Sequence, residues 1–212
     1  LVRMGLDYVD VFYSHRYDPE TPLEETMQAL VDIVRQGKAL YVGLSKYPAG
    51  KAEEAYRYLE ARDVHCLLYQ GRYNLFDRAP EEEGILGQAR AYGVGFIAFS
   101  PLAQGLLTSR YLQGVPEDSR MAQGRFLKRE VLTEAVLGKI KALDRVAAER
   151  GQTLAEMSLA WVLKDELVTS VIIGASSVAQ LEDNLKALRK VDFSKEELDR
   201  IEAICHTPDG GQ

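Results

Sequence analysis

The chain has 212 residues, 46% of them hydrophobic, which is enough to bury the core of one domain. Its net charge of −6, with both signs mixed throughout, excludes the basic footprint of a nucleic-acid partner. Two distant cysteines, Cys66 and Cys205, make no ligand pattern and no disulfide framework, and no apolar run reaches the ~18 residues of a membrane span. With no secretory leader pattern, the expected location is cytoplasmic, and no membrane is expected among its partners.

Apolar strand candidates start near Asp7, Lys38, Cys66, Val94 and Val168. The first four follow one another at about 30 residues, with helical patterns between them, and that repeat predicts a parallel sheet. The first helix is expected to begin with Thr21 as cap and Pro22 at its first turn, and to run through Met27, Leu30, Ile33 and Val34 to Gly37. A second is expected over Gly50 to Ala61 and a third over Pro80 to Tyr92. A helix-rich segment from Val131 to Asp165 contains Thr153 and Glu156 in capping-box spacing, which makes Leu154, Met157 and Trp161 a buried stripe with Ser158 on the same face. Two further helices, Val178 to Lys190 and one capped by Ser194 with Glu197, end the chain.

In parallel α/β folds ligands bind where strands end. The ends here carry Ser14-His15-Arg16, Ser45-Lys46, Gln70 with Tyr73-Asn74, Phe99-Ser100, and Gly174-Ala175-Ser176. No glycine fingerprint of the doubly wound dinucleotide fold follows the first strand; His15 stands there, as a capping residue or a functional one. Gln70 among apolar neighbours needs several partners, which the backbone or a carboxamide ligand can supply. The stretch after the fourth strand, Ser100 to Arg120, offers Gln104, Gly105, Thr108, Ser109, Arg110 and Arg120, either an ordinary sheet exit with solvated arginines or a phosphate cradle. On the helix after Ser176, Gln180, Asp183 and Asn184 fall at spacings of three and four, near an N-terminus suited to phosphate.

Taken together, YVDVFYSHR, KALYVGLS, YQGRYNL, GFIAFSPLAQGLLT and IIGASSVAQLEDNL resemble the aldo-keto reductases. The branch is the one holding bacterial L-glyceraldehyde 3-phosphate reductases and potassium-channel β-subunits. The resemblance implies a (β/α)8 TIM barrel, of which this chain supplies about strands 4 to 8 as one partial barrel, with residues 101–129 as a cofactor-covering loop and the first three βα units absent. It implies NADP (NADPH) as cofactor and a small aldehyde or ketone as substrate, with L-glyceraldehyde 3-phosphate-like compounds among the candidates. Carried over by position, His15 becomes the catalytic histidine that orients the carbonyl. Ser45, Lys46 and Gln70 fall where the nicotinamide carboxamide is held, and Phe99 under its ring. Ser100, Leu102, Gln104, Gly105 and Leu106 surround the pyrophosphate, with Arg110 and Arg120 as cationic partners. Gly174, Ser176, Gln180, Asp183 and Asn184 fall at the adenosine end, with Asp183 where relatives usually carry Glu.

The same resemblance places the proton-donating Tyr, its Lys and their Asp on the first strands, so the isolated chain is expected to lack reductase activity. The alternative function is a nucleotide-binding regulatory subunit of the channel type; a phosphosugar isomerase is disfavoured because no Glu stands at a strand end. The opening LVRMGLDYVDVFYSHR reads as the interior of a longer polypeptide. Five strands leave two open edges, and the expectation is dimerisation, complementation by another segment, or low stability.

Overall fold

The structure is a computed structural model and describes residues 1–112 and 131–206. It divides into two compact units: Leu1–Arg72, Ala79–Phe99 and Leu167–Ser170 in the first, and Tyr73–Arg78, Ser100–Glu166 and Val171–Gln212 in the second.

The first unit holds strands β1 (Val9–Ser14), β2 (Ala39–Ser45), β3 (Cys66–Arg72) and β4 (Gly95–Phe99). They pair in parallel as β1–β2, β2–β3 and β3–β4, and β5 (Ser170–Ile172) comes next in the sheet order. Helices α1 (Leu23–Arg35), α2 (Ala49–Glu60), α3 (Ala79–Glu82) and α4 (Ile85–Ala91) make the connections. Parallel strands need such crossovers, and the longer helices α1 and α2 each carry a buried apolar stripe. On α1 the stripe is Leu23, Met27, Leu30 and Val31; on α2 it is Ala52, Ala55, Tyr56 and Leu59. One sheet face carries Val42, Leu44, Tyr69, Phe96 and Ala98, all buried, with the rings of Tyr69 and Phe96 stacked at 5.7 Å. Position 71 shares that face and is glycine, since a Cβ there would come within 2.6 Å of the Phe96 ring.

The strand–helix order matches the sequence expectation, and the local differences have physical causes. Pro22 is the N-cap of α1, while the Thr21 hydroxyl donates to Asp18 at 2.8 Å, so Thr21 closes a preceding turn rather than capping the helix. Helix α1 stops at Gly37 as expected: its left-handed φ of 69° lets Lys38 N–H reach Ile33 C=O and Gly37 N–H reach Val34 C=O. The expected third helix is two helices, broken at Gly84 with φ 76°. Strand β5 is three residues long, and the helix after it ends at Leu185, continuing as a 3-10 turn over Lys186–Arg189.

The second unit contains α5 (Glu134–Glu149), α6 (Leu154–Val162), α7 (Val178–Leu185) and α8 (Lys195–Cys205). Both expected capping boxes form, Thr153 with Glu156 and Ser194 with Glu197. Leu154, Met157, Ser158 and Trp161 are buried as the spacing of α6 predicts. Among the described residues no helix is long and apolar enough to cross a membrane.

Candidate functional site

Strand register decides which side chains of the first unit meet. Ser45 pairs with Gln70, Gln70 with Ile97, and Arg72 with Phe99. Paired residues in a parallel sheet share a face and alternate residues return to it, so Ser45, Gln70, Arg72, Ile97 and Phe99 stand together at the strand ends, opposite Tyr69 and Phe96. Ser45 is buried, Gln70 and Phe99 are half-buried, and Arg72 is exposed. Three of the residues assigned from sequence to the nicotinamide end, Ser45, Gln70 and Phe99, are thus brought to one place. Lys46 follows with a left-handed backbone, φ 55°, and its Nζ lies 5.5 Å from the centre of the Phe99 ring. The Arg72 guanidinium lies 6.0 Å from the same ring.

The turn at Lys46 is fixed from behind. The Tyr69 hydroxyl accepts from Tyr47 N–H at 3.1 Å and donates to Tyr47 C=O at 2.7 Å, pinning both backbone groups of the residue after Lys46. The Tyr47 hydroxyl in turn shares a hydrogen bond of 2.6 Å with Ser14 Oγ, the residue before His15. His15 itself is exposed just past β1. Burial raises the pKa of Tyr47 against the opposing hydrogen bond from Ser14, and pushes Tyr69 up to about 12. Cys66 is also pushed up to about 12 by burial, so it stays a thiol at neutral pH. These groups position neighbours; none is set to exchange protons near neutrality.

Tyr13 packs directly on Gly43, where a Cβ would lie 2.5 Å from its ring. Gly43→Ala is expected to destabilise the chain by about 1–3 kcal/mol through overpacking. Urea unfolding checks this, and an unchanged midpoint would show that Tyr13 yields freely.

In the second unit, the turn after β4 is conformationally costly: Ser100, Ala103 and Gln104 have φ of 54°, 46° and 60°, and Gly105 has 101°. It is held by Asn74, 2% exposed, whose Nδ2 donates to Ser100 C=O at 3.0 Å. The N–H groups of Ala103, Gly105, Leu106 and Leu107 are spent on carbonyls of the same turn. A phosphate cradle built from these amides, the form read from sequence, is therefore not displayed by them. Gln104 Oε1 is buried without a hydrogen-bond partner, Leu106 is buried, Leu102 half-buried and Arg110 exposed. Arg120 and residues 113–129 of the expected covering loop lie outside the described residues.

At α7, Ser177 caps the helix through Gln180 N–H, while Gln180 Oε1 accepts from Ser176 N–H at 2.7 Å and its hydroxyl at 2.9 Å. Gly174 is exposed between β5 and this turn. Asp183 is exposed and ion-paired with Lys186 at 2.6 Å. Asn184, by contrast, is 6% exposed, and its Nδ2 has no partner. A buried amide donor without an acceptor is costly, and a ligand acceptor would satisfy it.

Sequence reasoning missed Tyr47 and Tyr69, which fix the turn beside the assigned residues, and Arg72, which shares their face; it named Asn74 at a strand end without its hold on Ser100. It also passed over a Tyr–Lys–Asp arrangement: Lys164 Nζ donates to Tyr73 Oη at 3.2 Å and lies 3.7 Å from Asp165. Tyr73 is 1% exposed and packs on Trp161, so its phenol faces the core rather than a substrate. Among the described residues no group of three metal-ligating side chains occurs.

The sequence profile of the aldo/keto reductase family matches residues 1–206. The L-glyceraldehyde 3-phosphate reductase of Escherichia coli O157:H7 is 49% identical over 99% of this chain, which spans 61% of that relative's length. A protein described as a probable voltage-gated potassium channel subunit beta, from Oryza sativa subsp. japonica, is 38% identical over 98% of this chain and 65% of its own length. A crystal structure of a thermostable aldo-keto reductase with the inhibitor epalrestat superposes with a TM-score of 0.71 at 30% identity, over 96% of this chain and 62% of the other. The five parallel-sheet strands are consistent with part of that family's (β/α)8 barrel. The profile match and the relatives agree: this chain belongs to the aldo/keto reductase family.

Proposed function

We propose that the chain is the cofactor-binding part of an oxidoreductase that reduces small aldehydes or ketones with NADPH. The observation that carries this reading is the convergence of Ser45, Gln70 and Phe99 on one sheet face at the strand ends. The hydroxyl and amide are the donors and acceptors that a nicotinamide carboxamide needs, and Phe99 offers it a ring. In the second unit, the orphaned Nδ2 of Asn184 is a donor of the kind an adenine ring nitrogen accepts from. The family resemblance puts Ser100, Leu102, Gly105, Leu106 and Arg110 at the pyrophosphate, although the turn spends the Gly105 and Leu106 amides internally, and puts Gly174, Ser176 and Gln180 at the adenosine 2′-phosphate. Asp183 joins them only by leaving Lys186.

When bound, NADPH supplies the hydride for the carbonyl carbon. His15 orients the carbonyl oxygen, which needs a proton as negative charge develops on it. The family's Tyr donor has no counterpart among this chain's motifs, and the Tyr73–Lys164 pair is turned into the core. The chain by itself therefore binds NADPH without turnover. The 38% identity to a channel subunit supports a second reading, in which nucleotide binding regulates a membrane partner.

Titrating the full chain with NADPH, followed by nicotinamide fluorescence, tests the proposal. Saturable binding is expected, weakened about tenfold in Gln70→Ala by loss of roughly one polar contact. Equal affinity in the variant, or no binding by the parent chain, would remove it.

A further inference from the structure

We propose that Tyr47 is a positioning residue: it braces the turn that carries His15 against the turn that carries Lys46, and so sets where a carbonyl group can lie relative to the nicotinamide site. The role rests on the dinucleotide reading for its purpose, but its geometry stands by itself. His15 is exposed, so its place is set by the backbone on either side of it. Tyr47 holds both sides. Its hydroxyl shares the 2.6 Å hydrogen bond with Ser14 Oγ, and its ring meets the ring of Tyr17 edge-on at 5.7 Å. Ser14 and Tyr17 bracket His15 and Arg16, and Tyr47 is 2% exposed, so water hardly competes for this grip.

The brace also has an anchor. Ser14 pairs with Leu44, Leu44 with Tyr69 and Tyr69 with Phe96, which puts these four residues in one row across β1, β2, β3 and β4. Tyr69, 2% exposed and stacked on Phe96, spends its hydroxyl on both backbone groups of Tyr47. Lys46 keeps a left-handed backbone beside that clamp, a conformation that is costly for a residue with a side chain and persists where its surroundings impose it. Contacts thus run without a break from the buried sheet to the residues beside His15. One residue past the row stand Ser45 on β2 and His15 after β1, so the row fixes the level of both. Catalytic geometry is sensitive at this scale, since a misplacement of about 1 Å costs a large factor in rate. Removing the Tyr47 hydroxyl leaves its ring and its backbone clamp in place and frees only the β1 end, which separates the brace from folding.

The test uses the full chain and the NMR imidazole signals of its three histidines, His15, His65 and His206, with His15→Gln to assign the first. Tyr47→Phe and Ser14→Ala are each expected to shift the His15 signal and to leave those of His65 and His206 in place. The double variant should go no further than either one, because both delete the same bond. Ser14→Thr, which keeps a hydroxyl, should return the signal toward its parental position. At saturating NADPH, the shift that the nicotinamide induces at His15 is expected to fall to about half or less in Tyr47→Phe. An unchanged His15 signal in Tyr47→Phe and Ser14→Ala overturns the proposal, and so does an equal movement of all three histidine signals, which marks a merely structural loss. An NADPH-induced shift at His15 as large in Tyr47→Phe as in the parent overturns it too. A selective shift of His15 in a chain that does not bind NADPH supports the brace and removes the dinucleotide reading alone.

Discussion

Replacing Trp161 with alanine is expected to cost about 3–5 kcal/mol of unfolding free energy, because it empties the volume of the largest buried side chain of the second unit. Trp161 is 2% exposed on α6, whose Leu154 and Met157 are also buried, and the ring centres of Tyr73 and Trp161 lie 5.3 Å apart. Its ring also carries two cations, Lys164 Nζ at 3.9 Å and the Arg78 guanidinium at 4.6 Å. Arg78 is tied further to Glu202 of α8 by an ion pair. Deleting the indole therefore removes a large apolar group and the face on which two charged groups rest. Trp161→Phe should recover more than half of the loss. Urea denaturation followed by circular dichroism checks both values; a loss under about 1 kcal/mol for Trp161→Ala would mean that the unit repacks around the gap.

Arg150→Met is expected to be comparably severe, about 3–5 kcal/mol, for an electrostatic reason. The Arg150 side chain is 1% exposed, its guanidinium stacks 3.6 Å from the centre of the Phe193 ring, and Nη1 meets Glu197 at 2.6 Å. Nη2 donates to Asp192 C=O at 3.0 Å, and Nε to Gln152 at 2.9 Å. Methionine fills much of the same volume, so the loss reads the unpaired carbonyls and carboxylate rather than a void. At Glu197, burial opposes ionisation, but the Ser194 amide and the Arg150 guanidinium outweigh it and hold the pKa below its ordinary 4.5. A carboxylate depressed in the folded state adds stability above its unfolded pKa and loses it as pH falls through the folded one. The acid limb of the stability profile should accordingly flatten in Arg150→Met. If the two profiles keep the same slope between pH 5 and about 3, the Arg150–Glu197 pair is not coupled to folding.

The strand–helix repeat was legible because apolar runs, Pro22, Gly37 and the Thr153–Glu156 and Ser194–Glu197 boxes all act locally. The break at Gly84 was less so, since one glycine inside a helical pattern is often tolerated. At the site, positions were readable but their surroundings were not. Ser45, Gln70 and Phe99 stand on three strands, and only the register shows that they share a face. Arg72 joined them through that register. The pyrophosphate reading of Ser100 to Leu106 assumed free amides, whereas turn formation uses several of them internally. Asp183 and Asn184 were grouped by their spacings of three and four from Gln180, yet one is paired at the surface and the other buried with an orphaned amide. Long-range packing separates them, and adjacent residues on a helix point about 100° apart.

The most direct test is a crystal structure of the full chain grown with NADP. The account predicts the nicotinamide ring against Phe99, with its carboxamide hydrogen-bonded to Ser45 and Gln70. A nicotinamide bound away from the face shared by Ser45, Gln70 and Phe99 would contradict it.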